Sequence, residues 1–218
     1  MRSTVNIINI LAFFIVIFNF YGLQKLEAHP VIYKNGTVFQ SEQNNDMSEF
    51  NLHYTFSTKS AVGIMYLKEN ANEFTFARFN YKLYRNNHEN GQANVYLGLA
   101  AGLERESLKS TSAQLYEVDA DWENRDYYVA ALYRQIQRAN HAELSNRSNL
   151  NHLRFRSGLA PYRGEYDTLN TWFILQFDRH NDNQWQTTPL MRTYYKNILW
   201  EIGANLNGSY QLNLMFHI

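Results

Sequence analysis

Cysteine is absent from this sequence, which excludes disulfides, thiolate metal centres and a thiol nucleophile. Proline is scarce, with only Pro30, Pro161 and Pro189. Net charge is lacking too, because 20 Lys and Arg offset 20 Asp and Glu. A neutral chain does not offer the basic face that nucleic acid needs, so no nucleic-acid partner is expected. One long apolar run occurs and no second one, so no further membrane helix is expected after it. Helical apolar periodicity is poor through the rest of the chain.

That single run extends from Ile7 to Leu23 and is interrupted by Asn9 and Asn19. Arg2 precedes it, Leu26-Glu-Ala28 offers a small residue for cleavage, and His29-Pro30 then opens the mature chain. The arrangement reads as a secretory signal peptide over residues 1–28. A membrane-anchor helix is the alternative, since the run approaches the roughly 20 residues a span needs.

What the chain does have is aromatics, 16 Tyr, 14 Phe and 4 Trp, which suit strands. They fall into runs with a period of two. Phe50, Leu52, Tyr54 and Phe56 alternate with Glu49, Asn51, His53 and Thr55. Val95, Leu97, Leu99 and Leu103 alternate with Asn94, Tyr96, Gly98 and Glu104. Similar runs surround Tyr116–Trp122, Leu153–Leu159, Leu169–Phe177 and Trp200–Leu206. Turn-forming residues separate them, and Asn207-Gly208 between two alternating runs predicts a hairpin. The spacing predicts about twelve strands starting near Gly36, with ten as the alternative.

A soluble all-β barrel or sandwich turns its apolar face inward, and a transmembrane barrel turns it outward. Four features favour the outward case. The polar-face residues are large and often charged. Aromatics cluster near strand ends (Tyr81 and Tyr84, Trp122, Tyr127 and Tyr128, Tyr194 and Tyr195), as interfacial girdles require. The strand count is even, and the chain ends on a strand. That strand, with Tyr210, Leu212, Leu214, Phe216 and Ile218 on one face, resembles the C-terminal assembly signal of Gram-negative outer-membrane β-barrels. It departs from that signal at the last residue, since the family usually ends in Phe and here Phe216 lies two positions in. Gln92–Gly102 and Ala120–Tyr127 are similar to stretches of small exported barrel proteins. The resemblance implies an all-β, closed antiparallel transmembrane β-barrel over residues 36–218, preceded by a short periplasmic segment over 29–35. It also implies outer-membrane lipid and the barrel-assembly machinery as partners. The first and last strands, near Gly36–Gln43 and Ser209–Ile218, are then expected to pair, because closure removes exposed edges.

Charged side chains on the lipid face cost about 2–4 kcal/mol for Arg or Lys at mid-depth, so charge belongs in the lumen. Glu104, Glu117, Asp119 and Asp121 are expected there, then Arg134, then His152, Arg154 and Arg156, then Asp178, Arg192 and Glu201. Acidic and basic strands are near neighbours. The expectation is a narrow passive channel for small polar or anionic solutes, or a structural barrel with a salt-bridged lumen. The competing expectation is an outer-membrane hydrolase acting on lipid or lipopolysaccharide. It has His53, His152, His180 and His217 to draw on, with Ser157 and Asp178, but no recognisable catalytic spacing. His152 and Ser157 have opposite parity on one strand. Glu117, Asp119 and Asp121 lie about 6.5–7 Å apart along their strand, too far to share an ion, so no metal and no cofactor are expected. The links near Asn140–Asn149, Arg105–Thr111 and His180–Gln186 are expected on the extracellular side, and longer than the periplasmic turns.

Overall fold

The computed structural model describes residues 29–218, apart from 90, 107–108, 140–147, 166–167, 182 and 206. The signal-peptide expectation therefore lies outside the described residues. The strands are β1 Thr37–Asn44, β2 Met47–Thr55, β3 Ser60–Glu69, β4 Asn72–His88, β5 Gly91–Glu106 and β6 Lys109–Glu123. They continue as β7 Tyr127–Arg138, β8 Leu150–Leu159, β9 Asn170–His180, β10 Gln186–Tyr195, β11 Ile198–Ala204 and β12 Tyr210–His217. Each pairs antiparallel with its sequence neighbours, and β12 pairs with β1, so twelve strands close into one barrel.

The alternation dictates which face each residue takes. Leu52, Ile64, Leu103, Phe173 and Ile202 are exposed on the outer wall, while Asn51, His53, Glu104 and Glu201 are buried inside. A soluble barrel would reverse this, so the fold is a transmembrane β-barrel with its apolar face toward lipid. The seam closes in register, with Phe39 opposite Phe216 and Gln43 opposite Leu212. Thr37 and Ile218 exchange backbone hydrogen bonds at 2.7 and 2.8 Å, so the ladder is paired to the last residue. Tyr210, Leu212 and Ile218 are exposed outward on β12, and Leu214 and Phe216 are half-buried. Asn207-Gly208 forms the β11–β12 turn, where Gly208 takes φ +80°, a conformation glycine adopts without strain.

Two local departures re-aim side chains. A bulge between Lys82 and Tyr84 shifts the register of β4 against β5. Tyr84 then stays outward, and Arg85 turns inward to Asn94. Tyr128 corrects the aromatic-girdle reading. Tyr127 is exposed, but Tyr128 is buried in the lumen, because consecutive strand residues cannot share a face.

The three links expected outside do lie at one end, opposite the chain termini. Their expected excess length is not general. At the terminal end, the β8–β9 link over 160–169 is nearly as long as the β7–β8 link over 139–149. It is held down rather than shortened. Arg163 forks onto Asp126 of the β6–β7 link at 2.7 and 2.5 Å, and Tyr162 Oη donates to Leu169 O at 2.9 Å.

Candidate functional site in the lumen

The barrel interior has three layers. At the terminal end the chain itself enters. His29, Val31 and Ile32 are buried, and Val31 packs with Ala61 and Tyr96. The Ile32 amide donates to Thr55 Oγ1 at 3.3 Å. Asn35, with φ 68°, and Gly36, whose amide donates to Tyr33 O at 3.1 Å, then turn the chain out into β1. Within the segment over 29–35, residues 29–32 thus reach into the barrel mouth, and Tyr33, Lys34 and Asn35 are exposed. His29 lies 3.4 Å from Asp121 and 3.3 Å from both Gln92 and Asn94. Burial pushes the His29 imidazole well below its ordinary value, and the Arg85, His217, Lys82 and Arg192 charges push the same way. His29 thus sits with Nδ1 toward Asp121 and Nε2 toward the Gln92 and Asn94 amides.

The middle layer is charged. Arg134 on β7 binds Glu117 on neighbouring β6 at 2.6 Å and reaches Glu49 on β2, across the lumen, at 2.6 and 3.1 Å. Arg154 on β8 binds Asp178 on β9 at 2.7 Å and reaches across to Glu42 on β1 at 2.9 Å. Arg192 binds Glu201 at 2.6 Å and stacks on Tyr128, 4.3 Å from its ring centre. Arg156 bridges Glu201 at 3.3 Å and Gln176 at 2.7 Å. Arg78 pairs with Glu117 across β5, where Gly98 leaves room: a Cβ there would sit 2.9 Å from Arg78 Nη2 and 3.2 Å from Glu117 Cβ. These groups enclose a cavity of about 170 Å³, lined by five arginines (Arg78, Arg134, Arg154, Arg156, Arg192) and five acids (Glu42, Glu49, Glu117, Asp119, Glu201). The Asp119 carboxylate has no ion pair or hydrogen bond among the described residues.

The third layer, toward the other end, is apolar. Met47, Met65, Leu67, Phe74, Phe76, Leu115 and Ile136 are buried as one cluster, with Phe74 and Phe76 stacked 5.7 Å apart. This corrects the rule that every apolar strand face meets lipid. On the first halves of β4 and β6 and the ends of β3 and β7, apolar side chains point inward and fill the bore.

All eleven charged residues singled out in the sequence face the interior, but they do not form one site. Glu117, Asp119, Arg134, Arg154, Arg156, Arg192 and Glu201 line the cavity. Asp178 stands behind Arg154 and accepts from His152 at 2.8 Å. Glu104 is paired with Arg138 at the apolar layer, and Asp121 belongs to the His29 layer. The cross-lumen partners Glu42 and Glu49, with Arg78, Arg138 and His29, were not singled out. Parity marked Glu49 as inward, but nothing in sequence marks which strand faces it. Ser157 is exposed on the outer face while His152 is buried inside, so they form no dyad. No lumen histidine shares a hydrogen bond with a serine or threonine hydroxyl among the described residues.

A closed twelve-stranded antiparallel bore with its apolar face outward and paired charge within defines a transmembrane β-barrel. No family model matches the chain, and no curated protein does. Among solved structures, a KdgM porin in complex with disordered oligogalacturonate is similar in fold at a TM-score of 0.50. The match has 12% identity and covers 83% of this chain and 98% of that one. A NanC porin matches at 0.46 and 13% identity, over 83% of this chain and 98% of that one.

Proposed function

We propose that this protein is a narrow passive channel of the bacterial outer membrane, admitting small polar solutes, anionic ones included. The observation that carries this reading is the charged cavity between the N-terminal segment and the apolar layer. A guanidinium can turn to a solute carboxylate or phosphate where the protein carboxylate it releases keeps a second guanidinium, as Glu117 does between Arg78 and Arg134 and Glu201 between Arg156 and Arg192. The five-to-five balance of charge favours orientation of the solute over strong attraction. The export signal, outer-membrane lipid and the barrel-assembly machinery belong to the same reading, with β12 as the assembly strand.

Planar-bilayer recording of the refolded protein tests it. The expected result is small conductance steps, with anion preference reduced in Arg154→Ala/Arg156→Ala. Silence of both proteins overturns the channel. The apolar layer supports a second reading, a structural barrel with a salt-bridged interior, and silence would favour it. The hydrolase reading has no comparable support, and release of lipid products from the same proteoliposomes would revive it.

A further inference from the structure

Beside the apolar layer, His152 on β8 and His180 on β9 are register partners. Their rings stack with centres 4.0 Å apart. Each imidazole has one nitrogen on a carboxylate. His152 Nε2 lies 2.8 Å from Asp178 Oδ1, and His180 Nδ1 lies 3.2 Å from Glu69 Oε1. Asp178 also accepts from Arg154 at 2.7 Å and from Gln176, so it is an ionised acceptor. A carboxylate that only accepts requires the facing histidine nitrogen to carry the hydrogen. That leaves bare lone pairs on His152 Nδ1 and His180 Nε2. His152 is 6% exposed, and its Nδ1 is buried with no hydrogen-bond partner.

We propose that His152 and His180 bind one divalent transition-metal ion of the zinc class, with Asp178 and Glu69 orienting the imidazoles. A carboxylate behind each liganding imidazole fixes its tautomer and raises its basicity, a recurring feature of metal-binding histidines. One possible ligand atom from each of His152, Asp178 and His180 lies within 4.8 Å of the others, which puts both imidazoles in reach of one ion. Metal–nitrogen bonds of about 2.0–2.1 Å would require the two stacked imidazoles to turn so that His152 Nδ1 and His180 Nε2 face one point. Both histidines and Glu69 line a small cavity of about 10 Å³, roughly the room one water-sized guest needs. Two imidazoles select zinc, copper or nickel over calcium and magnesium, which take oxygen ligands. Arg134 and Arg154 are close, but each is already neutralised by two carboxylates. A purely structural stacked pair would leave the buried Nδ1 desolvated and unsatisfied, whereas a bound ion would occupy its lone pair.

The site is independent of whether the lumen conducts. Calorimetric titration of untagged, refolded protein with Zn²⁺ tests it, with heat-modifiable gel migration confirming that each variant is folded. Saturable one-to-one binding is expected, weakened at least tenfold in His180→Gln and in His152→Gln. Glu69→Gln should weaken it less, and His88→Ala, in the β4–β5 hairpin, not at all. Bound Co²⁺ should show visible absorption that disappears in His180→Gln. No saturable binding by the wild type overturns the proposal, and so does equal binding by folded His180→Gln.

Discussion

Glu49 illustrates how much a single residue carries in a bore this narrow. Its carboxylate takes two hydrogen bonds from Arg134 on the opposite wall and one from Asn51 at 2.6 Å. Removing one partner of a buried pair typically costs about 3–5 kcal/mol, because the other charge stays desolvated. Arg134 would keep Glu117, so Glu49→Gln should fall at the low end of that range, read as a lower denaturation midpoint of the refolded barrel. An unchanged midpoint would show that the cross-lumen bridge adds nothing. Outside the membrane, Asp126 gives a smaller, pH-dependent effect. The hydrogen bonds from Arg163 hold its carboxyl below the usual range. A depressed carboxyl stabilises above its ordinary value of about 3.9 and loses that contribution as pH falls through the folded value. Protection factors for hydrogen exchange near Arg163, taken against the intrinsic rate at each pH, should therefore be higher at neutral pH and fall in acid. Asp126→Asn should give the low protection at both. The pair is exposed, so global stability should hardly move.

At the scale of elements, β12 matters for the edge it removes. Deleting Phe216 to Ile218 takes away the pairings Phe39–Phe216 and Val38–His217, and the two backbone bonds between Thr37 and Ile218. An unpaired strand end in hydrocarbon leaves backbone groups without partners. The truncated chain should be exported yet fail to form a heat-modifiable species, and normal migration of the unboiled form would contradict this. Such elements were legible in the sequence because alternation fixes a strand and its two faces. Phe50, Leu52 and Tyr54 on β2, the Asn207-Gly208 turn and the β1–β12 seam could all be read that way. Alternation does not say which face looks out. Phe74 and Phe76 alternate with Thr75 and Ala77 just as a lipid-facing strand would, yet they close the bore. Nor does it give the angle around the barrel, so the Arg134–Glu49 and Arg154–Glu42 partnerships stayed hidden. The entry of His29–Ile32 has no periodic signal at all. The histidine pair on β8 and β9 was likewise visible only as separate polar residues, since it depends on strand register.

For the whole molecule, the three layers act in series along one bore. The N-terminal segment covers the charged cavity from one end and the Phe74–Phe76 cluster from the other. A path is limited by its tightest point, so relieving one barrier leaves the other in control. Removal of residues 29–33 and the substitution Phe76→Ala should each raise single-channel conductance only modestly. Together they should raise it by more than the sum of the separate increases. Phe76→Ala carries a packing cost of about 3–5 kcal/mol, so folded protein must be confirmed by gel migration first. A pH arm identifies the terminal barrier. His29 is held neutral in its pocket and would protonate near pH 6.5 once free. Because its folded value is depressed, docking is strongest above that pH and weakens below it. Acidification from pH 7.5 to 5.5 should then raise the conductance of Phe76→Ala but not that of the double variant. If both respond equally, the His29 segment is not what closes the terminal end.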